Sequence, residues 1–575
     1  MRFTHGLFGL IGILLLSGCG GGSGSSASAV PKLPSGGQQP QTVSVVINIP
    51  KATVSSSKTR PNYISPATQS LTLIVKRGAT VALSETANLT PTSSGCASTL
   101  ASTQCTLTLS LDPGSYTASL STYDGTNGTG NVLSAGQNVP FTVVAGANNA
   151  IPLTLSGVPA SFIVTPQNNV TSGSYAQGFT IAGMQAQTFL VNTLDADGNT
   201  IVGAGAPTLA VAMTSGSGWT IANPTATLPN TFAITPATTQ NSAATLQITA
   251  SFSDSTCSLS NAVCTVTFNV KNDLPTLFVA ACSTSGCGGG SDAVLVYAPP
   301  YTGTPTTITS SIDGPEQLAL DGSQDLYVAN TSGGTIYAYS LPYGSPFAGI
   351  GGAVRGVQVM PNGTMLVTTA LAGPSQTIFE YSSIFAATTN ILALSPSATN
   401  QAVAVLDANG NAWLQESTDA LSELLPPQGD GGATTTTVPS TTIEAFVVSP
   451  AGNVYVAGTT LVALGAAGST LTGYTLTSGH AYGVTYDPSG DAIAATTSGV
   501  LIVSPSASLL TTITSGVSIA TPTQSAGQII ACDDGYDIFV ANTGAQTVTI
   551  YEPPYTSTAV TIPTGYVPQA VLLGP

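Results

Sequence analysis

The sequence predicts an all-β protein in which two β-sandwich modules are followed by a seven-bladed β-propeller that the C-terminal strand closes. Three observations support this prediction. Only 6% of the 575 residues are charged, and no long segment has the apolar periodicity of a helix. Short segments rich in Tyr, Val, Ile and Leu alternate with Gly-containing turns, which is typical of strands. One such unit recurs along the C-terminal half with a period of about forty residues.

The charge balance excludes one large class of partners. The formal net charge is −16, and Arg355 is the only lysine or arginine after Lys271. Nucleic-acid binding needs a basic surface against the phosphates, so we expect no nucleic-acid partner. The C-terminal half also lacks the Lys and Arg of a phosphate-binding cluster, and the sequence predicts no cofactor.

The N-terminus predicts a secreted chain with a lipid anchor. Arg2 precedes the apolar run Leu7–Leu16, which is short for a membrane span and typical of a signal peptide over residues 1–18. Leu16-Ser17-Gly18-Cys19 resembles the lipobox of bacterial lipoproteins. This resemblance implies that Cys19 starts the mature chain and carries the acyl chains, such as palmitate, that attach it to a membrane. The alternative is an ordinary cleaved signal peptide followed by a chance cysteine.

Residues 19–41 are rich in Gly, Ser, Pro and Gln, which predicts a flexible tether. In bacterial lipoproteins an Asp after the lipidated cysteine is an inner-membrane retention signal, and Gly20 stands there instead. The resemblance therefore implies a cell-envelope protein of the outer membrane, either periplasmic or surface-exposed.

Six cysteines lie in three close pairs, each of which closes a short loop when joined. Six cysteines allow fifteen connectivities, of which we expect the local one: Cys96 with Cys105, Cys257 with Cys264, and Cys282 with Cys287. Such bonds fit an oxidising compartment. Cys532 is left over inside the apolar run Ile529–Cys532, where a buried, inert thiol is favoured over a nucleophile. None of the spacings comes with the histidine of a mixed zinc site, so no metal site is predicted.

Residues 42–157 predict the first sandwich module. Thr42–Ile49 alternates Val and Ile with polar residues, as a half-buried strand does. Phe141–Val144 and Ile151–Leu155, separated by a turn, predict a closing hairpin. The segment Leu111–Tyr116, with Asp-Pro-Gly at its turn, resembles the strand-turn-strand of bacterial immunoglobulin-like and carboxypeptidase-regulatory-like domains.

Residues 158–273 predict the second module, which is similar to bacterial immunoglobulin-like repeats of cell surfaces. Its sequence Asp195-Ala196-Asp197-Gly198-Asn199 offers clustered oxygens of the kind that bind Ca²⁺. No bidentate Glu follows at the spacing of a helix-loop-helix calcium site, so a polar hairpin turn is favoured.

Residues 274–575 carry the repeat, and each unit starts with an apolar strand that a turn glycine follows. The starting strands are Pro315–Asp321, Val354–Met360, Asn400–Leu406, Ile443–Ser449, Ala481–Asp487 and Gly527–Asp533. This period is the size of a four-stranded propeller blade. The region resembles NHL-repeat and related seven-bladed bacterial propellers. It departs from the NHL proteins that bind RNA, because the basic surface is missing.

The two ends of this region predict how the ring closes. Leu277–Ala280 has the pattern of a second strand without a first, and Pro568–Leu573 that of a first strand without a second. Joining them completes a seventh, composite blade and hides the sheet edges.

First strands line the central channel of such propellers, and their register places one residue per blade at one channel mouth. Those residues are polar or amphipathic: Glu316, Arg355, Gln401, Glu444, Tyr482, Gln528 and Gln569, with His480 nearby. They fit a polar pocket for a small or extended neutral ligand, although the polar residues by themselves favour the following alternative. The alternative is a wet channel mouth that merely tolerates polar residues.

Three functions remain open at this point. The favoured one is a non-catalytic binding or scaffold module for a protein or glycan of the envelope. The second is an envelope lactonase, lyase or glycan hydrolase that uses Glu316 and Glu444 as acid and base. A multi-histidine metal centre is excluded, because His480 is the only histidine after the signal peptide. The third is a structural adhesin with no channel ligand.

Overall fold

The computed structural model describes residues 39–51, 63–168, 171–284, 286–287, 290–360, 363–369, 377–386, 388–393, 404–407, 409–417, 420–424, 434–439, 441–520, 528–558 and 560–575. Within them the chain forms 46 strands and two single-turn 3-10 helices, which confirms the all-β prediction. Neither helix in this part of the chain is long and apolar enough to cross a membrane. Cys19, the signal peptide and most of the expected tether lie outside the described residues.

The first nine strands form two sheets that share one core. They are β1 Gln41–Pro50, β2 Ser70–Arg77, β3 Thr80–Asn88, β4 Cys96–Ser98, β5 Ser102–Leu111, β6 Gly114–Tyr123, β7 Val132–Val143, β8 Asn149–Ala150 and β9 Ser156–Gly157. The strand orders are β4-β5-β1-β8 and β3-β2-β6-β7-β9. Alternate residues of β1, such as Val43 and Val45, are buried in one cluster with Leu71 and Leu73 of β2. The period-two pattern of the sequence thus produces a sandwich.

The closing hairpin expected in this sandwich is wrong. β7 lies in one sheet, whereas β8 pairs in parallel with β1 of the other sheet. The Asn149 side chain accepts the Val144 N–H (2.8 Å) and donates to the Val144 carbonyl (3.0 Å), which holds the turn. Its backbone aligns with Val43. The chain therefore crosses between the sheets here instead of folding back on itself.

The next nine strands form a second pair of sheets. They are β10 Ser161–Pro166, β11 Thr171–Ser174, β12 Gly178–Ala182, β13 Gln187–Leu194, β14 Thr208–Ser215, β15 Thr220–Ala222, β16 Thr231–Thr235, β17 Ala243–Ser251 and β18 Thr265–Asp273, with 3-10 turns at Gly203–Gly205 and Thr256–Ser258. The orders are β10-β13-β16-β15 and β11-β12-β18-β17-β14. Phe189 stacks on Phe232 (5.4 Å between centroids), and Phe179 meets Phe268 edge-on (5.9 Å). These rings fill the space between the sheets.

Asp195 links the two sandwiches. Its Oδ1 accepts the backbone N–H groups of Asp197 (3.0 Å) and Asn199 (2.8 Å), and its Oδ2 accepts the Tyr63 hydroxyl (2.8 Å). Burial, followed by the charge of Asp195, raises the pKa of Tyr63, so that phenol stays a donor. Both carboxylate oxygens are thus engaged by protein donors, as a polar hairpin turn requires.

The remaining strands form seven four-stranded sheets within the described residues. Sheet 1 contains β19 Thr276–Cys282, β20 Ala293–Tyr297, β21 Thr306–Ile308 and the last strand, β46 Val567–Gly574. Sheet 2 contains β22 Pro315–Leu320, β23 Leu326–Asn330, β24 Thr335–Tyr339 and β25 Ala348–Gly351. Sheet 3 contains β26 Val354–Val359, β27 Met365–Thr369, β28 Thr377–Tyr381 and β29 Thr388–Ala393.

The other four sheets follow in chain order. Sheet 4 contains β30 Ala404–Leu406, β31 Ala412–Ser417, β32 Ala420–Leu424 and β33 Thr434–Thr437. Sheet 5 contains β34 Ile443–Val448, β35 Asn453–Gly458, β36 Leu461–Ala466 and β37 Thr472–Thr475. Sheet 6 contains β38 Ala481–Tyr486, β39 Ala492–Thr496, β40 Gly499–Val503 and β41 Leu509–Ile513. Sheet 7 contains β42 Ile530–Cys532, β43 Ile538–Asn542, β44 Thr547–Tyr551 and β45 Val560–Pro563.

These sheets form a closed ring, which defines a β-propeller. The first strands of successive sheets contact one another from β22 through β42, and β46 contacts both β42 and β22. β46 pairs antiparallel with β19, from Thr276 opposite Gly574 to Cys282 opposite Val567. The predicted pairing of the two ends of this region is therefore confirmed. The first strands face the axis of the ring, and the fourth strands lie outside.

A tyrosine just after the third strand of three sheets donates its hydroxyl to a backbone carbonyl, which in two of them lies in the turn after the first strand. The Tyr343 and Tyr555 hydroxyls donate to the carbonyls of Gln324 (3.0 Å) and Tyr536 (2.8 Å), each in the turn of its own sheet. In sheet 1 the chain ends where that turn would be, and Tyr301 donates to Pro275 (2.8 Å) instead. Sheet 1, which combines both ends of the propeller region, thus has a tyrosine hydrogen bond like those of sheets 2 and 7.

The cysteines follow the expected local pairing. The structure contains disulfides between Cys96 and Cys105, Cys257 and Cys264, and Cys282 and Cys287. Cys532 is half-buried rather than fully buried. Burial and the neighbouring aspartates raise the pKa of its thiol, which keeps it protonated and unreactive.

Candidate binding site at the channel mouth

A β-bulge marks the predicted mouth residue in five of the sheets. In sheet 2, Pro315 pairs with Asn330 and Gln317 with Ala329, so Glu316 is the extra residue of β22. The same break in the ladder leaves one extra residue in four other first strands: Arg355, Glu444, Tyr482 and Gln569. A bulge re-aims a side chain and leaves it outside the alternation of the strand.

The bulges share one end of the ring. Each one lies at the beginning of a first strand, and neighbouring first strands contact one another around the axis. The five side chains therefore start from equivalent positions of five sheets. We call this set, with His480 and Gln528, the mouth ring. Gln401 lies outside the described residues.

Glu316 has the most perturbed carboxyl of the mouth ring. It is only 6% exposed, and burial raises its pKa to about 7. A hydrogen bond from Thr331 and the charge of Arg355 in the adjacent sheet lower the pKa, but less than burial raises it. At neutral pH Glu316 is thus divided between a form that donates a hydrogen bond and a form that only accepts.

A second acid and base lie in sheets 5 and 6. Burial raises the pKa of the half-buried Glu444, and the charge of His480 lowers it. The rings of His480 and Tyr482 are 5.8 Å apart, so the histidine belongs to the same end of the ring as the bulges. Glu316 with Arg355 and Glu444 with His480 are therefore two acid and base pairs in separate parts of the mouth ring.

Three mouth-ring residues have structural contacts that the sequence did not reveal. The Gln528 amide accepts the Leu318 N–H (3.0 Å) and donates to the Leu318 carbonyl (2.9 Å), which ties sheet 7 to sheet 2 past β46. Gln569 is 6% exposed and donates to the Val567 carbonyl (3.2 Å). Tyr482 is 8% exposed and packs in the core. These side chains fasten the ring more than they line an open pocket.

Gln317 is a tie of the same kind that the sequence reading missed. Its Oε1 accepts the Val357 N–H (2.8 Å) and joins sheets 2 and 3. The sequence feature that could have predicted this contact is a glutamine directly after the bulge residue Glu316. Glutamine carries both a donor and an acceptor, so it can pair with backbone groups of a neighbouring strand.

A cleft lies at the opposite end of the propeller, between it and the second sandwich. It has a volume of about 690 Å³ and is lined by polar, aromatic, proline and aliphatic residues, among them Gln185, Asp487, Asp491, Ile502 and Tyr555. The sequence did not predict this cleft, because its walls come from distant parts of the chain. Gln185, in one wall, is hydrogen-bonded to Glu552, which lies 367 residues away in the sequence.

The part of the chain that the structure describes holds no group of three or more His, Cys, Asp or Glu residues arranged to bind a metal ion. The mouth ring supplies hydrogen-bond donors and acceptors, together with the carboxyls of Glu316 and Glu444, whose pKa values are raised.

Fold and site together define a β-propeller protein. No protein-family model matches the chain, and neither does any curated protein. Among solved structures it is similar to a functionally unknown protein from Desulfotomaculum acetoxidans, with TM-score 0.43 and 12% identity over 52% of this chain and 98% of that one.

Two further solved structures are similar to a lesser degree. Virginiamycin B lyase from Staphylococcus aureus has TM-score 0.33 and 12% identity, over 43% of this chain and 83% of that one. Citrobacter koseri AztD has TM-score 0.37 and 11% identity, over 52% of this chain and 98% of that one. These neighbours are β-propeller proteins, and a likeness of this size carries no argument about this chain.

Proposed function

We propose that this is a lipid-anchored cell-envelope protein whose propeller binds a neutral glycan or peptide segment of the envelope at the mouth ring. The observation that carries the proposal is the bulge repeated in five first strands, which places a polar or amphipathic residue at an equivalent position in each. A repeated bulge at one end of the ring is the kind of device that aims side chains at a ligand.

The chemistry of the mouth ring favours an uncharged polar ligand. Each of its two acids is accompanied by a base, Arg355 for Glu316 and His480 for Glu444. A ligand therefore meets donors and acceptors without a large field of one sign. Hydroxyl and amide groups suit such a surface, because each both donates and accepts hydrogen bonds.

The rest of the proposed architecture presents that mouth to partners. The seven sheets act as seven blades, and the two sandwiches serve as immunoglobulin-like spacers. The parallel pairing of β1 with β8 and of β12 with β18 supports the immunoglobulin-like assignment. Acyl chains on Cys19 and the tether of residues 19–41 hold the molecule at the outer membrane, on its periplasmic or exposed side.

A catalytic propeller is the second candidate, and the state of Glu316 is the observation that favours it. An acid or base whose pKa is about 7 is poised for proton transfer at neutral pH. Glu444 supplies a second carboxyl with a raised pKa. A lactonase, lyase or glycan hydrolase would use the pair as acid and base. A structural adhesin without a channel ligand is the third candidate.

The test is thermal unfolding of the full-length protein with neutral oligosaccharides and peptides of the cell envelope. A ligand that binds only the folded form raises the unfolding temperature. We compare the wild type with Glu316→Gln and Glu444→Gln. Glu85→Gln, on the exposed strand β3, is the matched control, because it removes one carboxylate far from the mouth in the sequence and in another sheet.

We expect a shift in the wild type and in the control, and an affinity about tenfold weaker in each mouth variant, as loss of a hydrogen bond to a charged group predicts. Equal shifts in all four proteins would place the ligand elsewhere. Conversion of the ligand that Glu316→Gln abolishes would establish the enzyme. Adhesion that survives both mouth substitutions, with no ligand shift, would leave the structural adhesin.

A further inference from the structure

The second sandwich contacts the propeller through a direct backbone approach. Gly183, in the loop after β12, lies against Gly535, in the turn between β42 and β43. A Cβ added at Gly535 would lie 2.3 Å from the Gly183 Cα, and one added at Gly183 would lie 2.8 Å from the Gly535 Cα. Two glycines thus meet with no side chain between them. We call the contact of residues 183–185 with residues 533–537 and Glu552 the joint.

The propeller side of the joint presents carboxylates to this loop. Asp537 is 1% exposed, and its Oδ2 accepts the Met184 N–H (3.4 Å). Its Oδ1 is buried and has no hydrogen-bond partner. Beside it, Glu552 accepts a hydrogen bond from the Gln185 amide. The joint therefore buries the Asp537 carboxyl group, and one of its oxygens accepts no hydrogen bond. Burial of such a group costs much free energy when it is charged and less when it is protonated.

The charges that face Asp537 are negative. They belong to Asp533 and Glu552, with the neutral groups Cys532, Tyr301 and Tyr555 nearby. Asp487 and Asp534 lie near Cys532, Asp273 of the sandwich lies near Asp533, and Asp491 and Tyr536 line the adjacent cleft. The sequence of the propeller has one Arg and no Lys. That arginine, Arg355, lies in the bulge of β26, at the other end of the first strands. No propeller cation therefore neutralises the joint.

We propose that the joint is a pH-sensitive latch: the second sandwich docks on the propeller while Asp537 and its neighbouring carboxyls hold protons, and it is released when they ionise. A protonated Asp537 is neutral, so burying its partnerless oxygen costs less than burying a carboxylate would. Ionisation puts a negative charge on the buried Asp537, beside Asp533 and Glu552. Repulsion then favours the separated arrangement, in which water solvates each carboxylate.

The direction of the pH effect follows from the raised carboxyl pKa values. Burial raises the pKa of Asp537, and the charges of Asp533 and Glu552 raise it further. Burial also raises the pKa of Asp533; hydrogen bonds from the Asp537 and Gly535 N–H groups lower it by less, and the charges of Asp534 and Asp273 raise it further. Docking is fully favoured below the ordinary carboxyl pKa of about 4 and is lost as pH rises through the raised values. Release changes the orientation of the mouth ring relative to the sandwiches.

The experiment is hydrogen exchange of the full-length protein at about pH 5 and about pH 9, corrected for the intrinsic exchange rate at each pH. The readouts are protection of residues 183–187 and the maximum dimension from small-angle scattering. We expect the wild type to lose protection by at least about tenfold at the higher pH, since one pKa unit is a tenfold change, and to lengthen. Asp537→Asn mimics the protonated acid and keeps its protection at both pH values.

Three variants complete the test. Asp325→Asn changes the equivalent turn position of sheet 2, away from the joint, and behaves as the wild type. Gly535→Ala forces the backbones apart and gives the undocked values at both pH values. Glu552→Gln removes a charge that raises the pKa of Asp537, so the loss of protection between the two pH values becomes smaller. A wild type with equal protection at both pH values would overturn the latch. So would an Asp537→Asn protein that opens with pH as the wild type does.

Discussion

The two ends of the propeller's first strands are built from the same repeat and are used differently. At the starting end, the ladder is broken by a bulge in five sheets, and the extra residues differ in chemistry. At the finishing end, an aspartate closes a turn in four sheets in one way. The Oδ1 of this aspartate accepts the backbone N–H groups of the residues two and four positions later, at 2.8–2.9 Å. The four aspartates are Asp321, Asp407, Asp487 and Asp533.

The turns at the finishing end are structural, whereas the bulges at the starting end present side chains that can contact a ligand. A turn that satisfies its own backbone donors can be repeated unchanged, because it needs nothing from outside its sheet. A bulge leaves a side chain outside the alternation, where its identity can vary without disturbing the ladder. In sheet 7 the Asp533 turn has two roles: it satisfies its own backbone donors, and it forms the joint with the second sandwich.

The largest effect is expected when the ring is opened at the first strand of sheet 1. Ending the chain before Val567 removes β46, and β19 loses one of its two partners along its whole length but keeps β20. Exposed edges on β19 and between the neighbouring sheets then favour association over folding. We expect loss of soluble monomer, measured by size-exclusion chromatography and circular dichroism. Removing Pro575 alone is the control, and it should leave both signals unchanged.

A soluble, folded monomer from the shortened chain would mean that ring closure does not hold the propeller together. In that case the mouth ring and the turns would be properties of single sheets and would not depend on closure.

The next effect belongs to the starting end and is a pH dependence. Glu316 has a pKa raised from 4.5 to about 7, so the stability that its protonated form provides is complete below 4.5 and is lost as pH rises through 7. Glu316→Gln should abolish this fall, which is on the order of 3 kcal/mol. Urea unfolding at about pH 5 and about pH 8 measures it. A variant whose stability falls between these values as steeply as the wild type's would show that Glu316 is not buried as described.

The smallest effect belongs to the finishing end. Asp321→Ala leaves the N–H groups of Ser323 and Asp325 without their acceptor. The turn is partly open to solvent, so the expected cost is about 1–2 kcal/mol of unfolding free energy. Ligand-induced shifts at the mouth should remain unchanged. Asp321→Asn keeps an acceptor in place and should cost less. Weakened mouth binding in Asp321→Ala would mean that the two ends are coupled.

Much of the fold was predictable because its causes are local. The alternation of Thr42–Ile49, the turn glycines and the repeat period all follow from short-range geometry. The composite sheet was predictable because a first strand and a second strand were each missing a partner. The hairpin at Asn149 was predicted wrongly, since the turn sequence fixes a reversal but not which sheet the next strand joins.

The candidate site was predictable in position more than in role. The polar row of the repeat included Glu316 and Arg355, and the structure places the charge of Arg355 near enough to lower the pKa of Glu316. The polar row did not distinguish them from Gln528, whose amide pairs with Leu318 across a separation of 210 residues. A hydrogen bond between distant segments depends on where the closed ring places them, and no spacing along the chain encodes it.

The sequence by itself determined that this protein is all β, that its C-terminal half repeats, and which cysteines and which ends pair. Each of these depends on side-chain alternation, turn chemistry or short loops, which act over a few residues. Only the tertiary structure decided that the polar row sits on bulges, that glutamines tie the sheets, and that Gly183 meets Gly535. Those features arise when distant strands are brought into register, and burial then sets the charge state of Glu316 and Asp537.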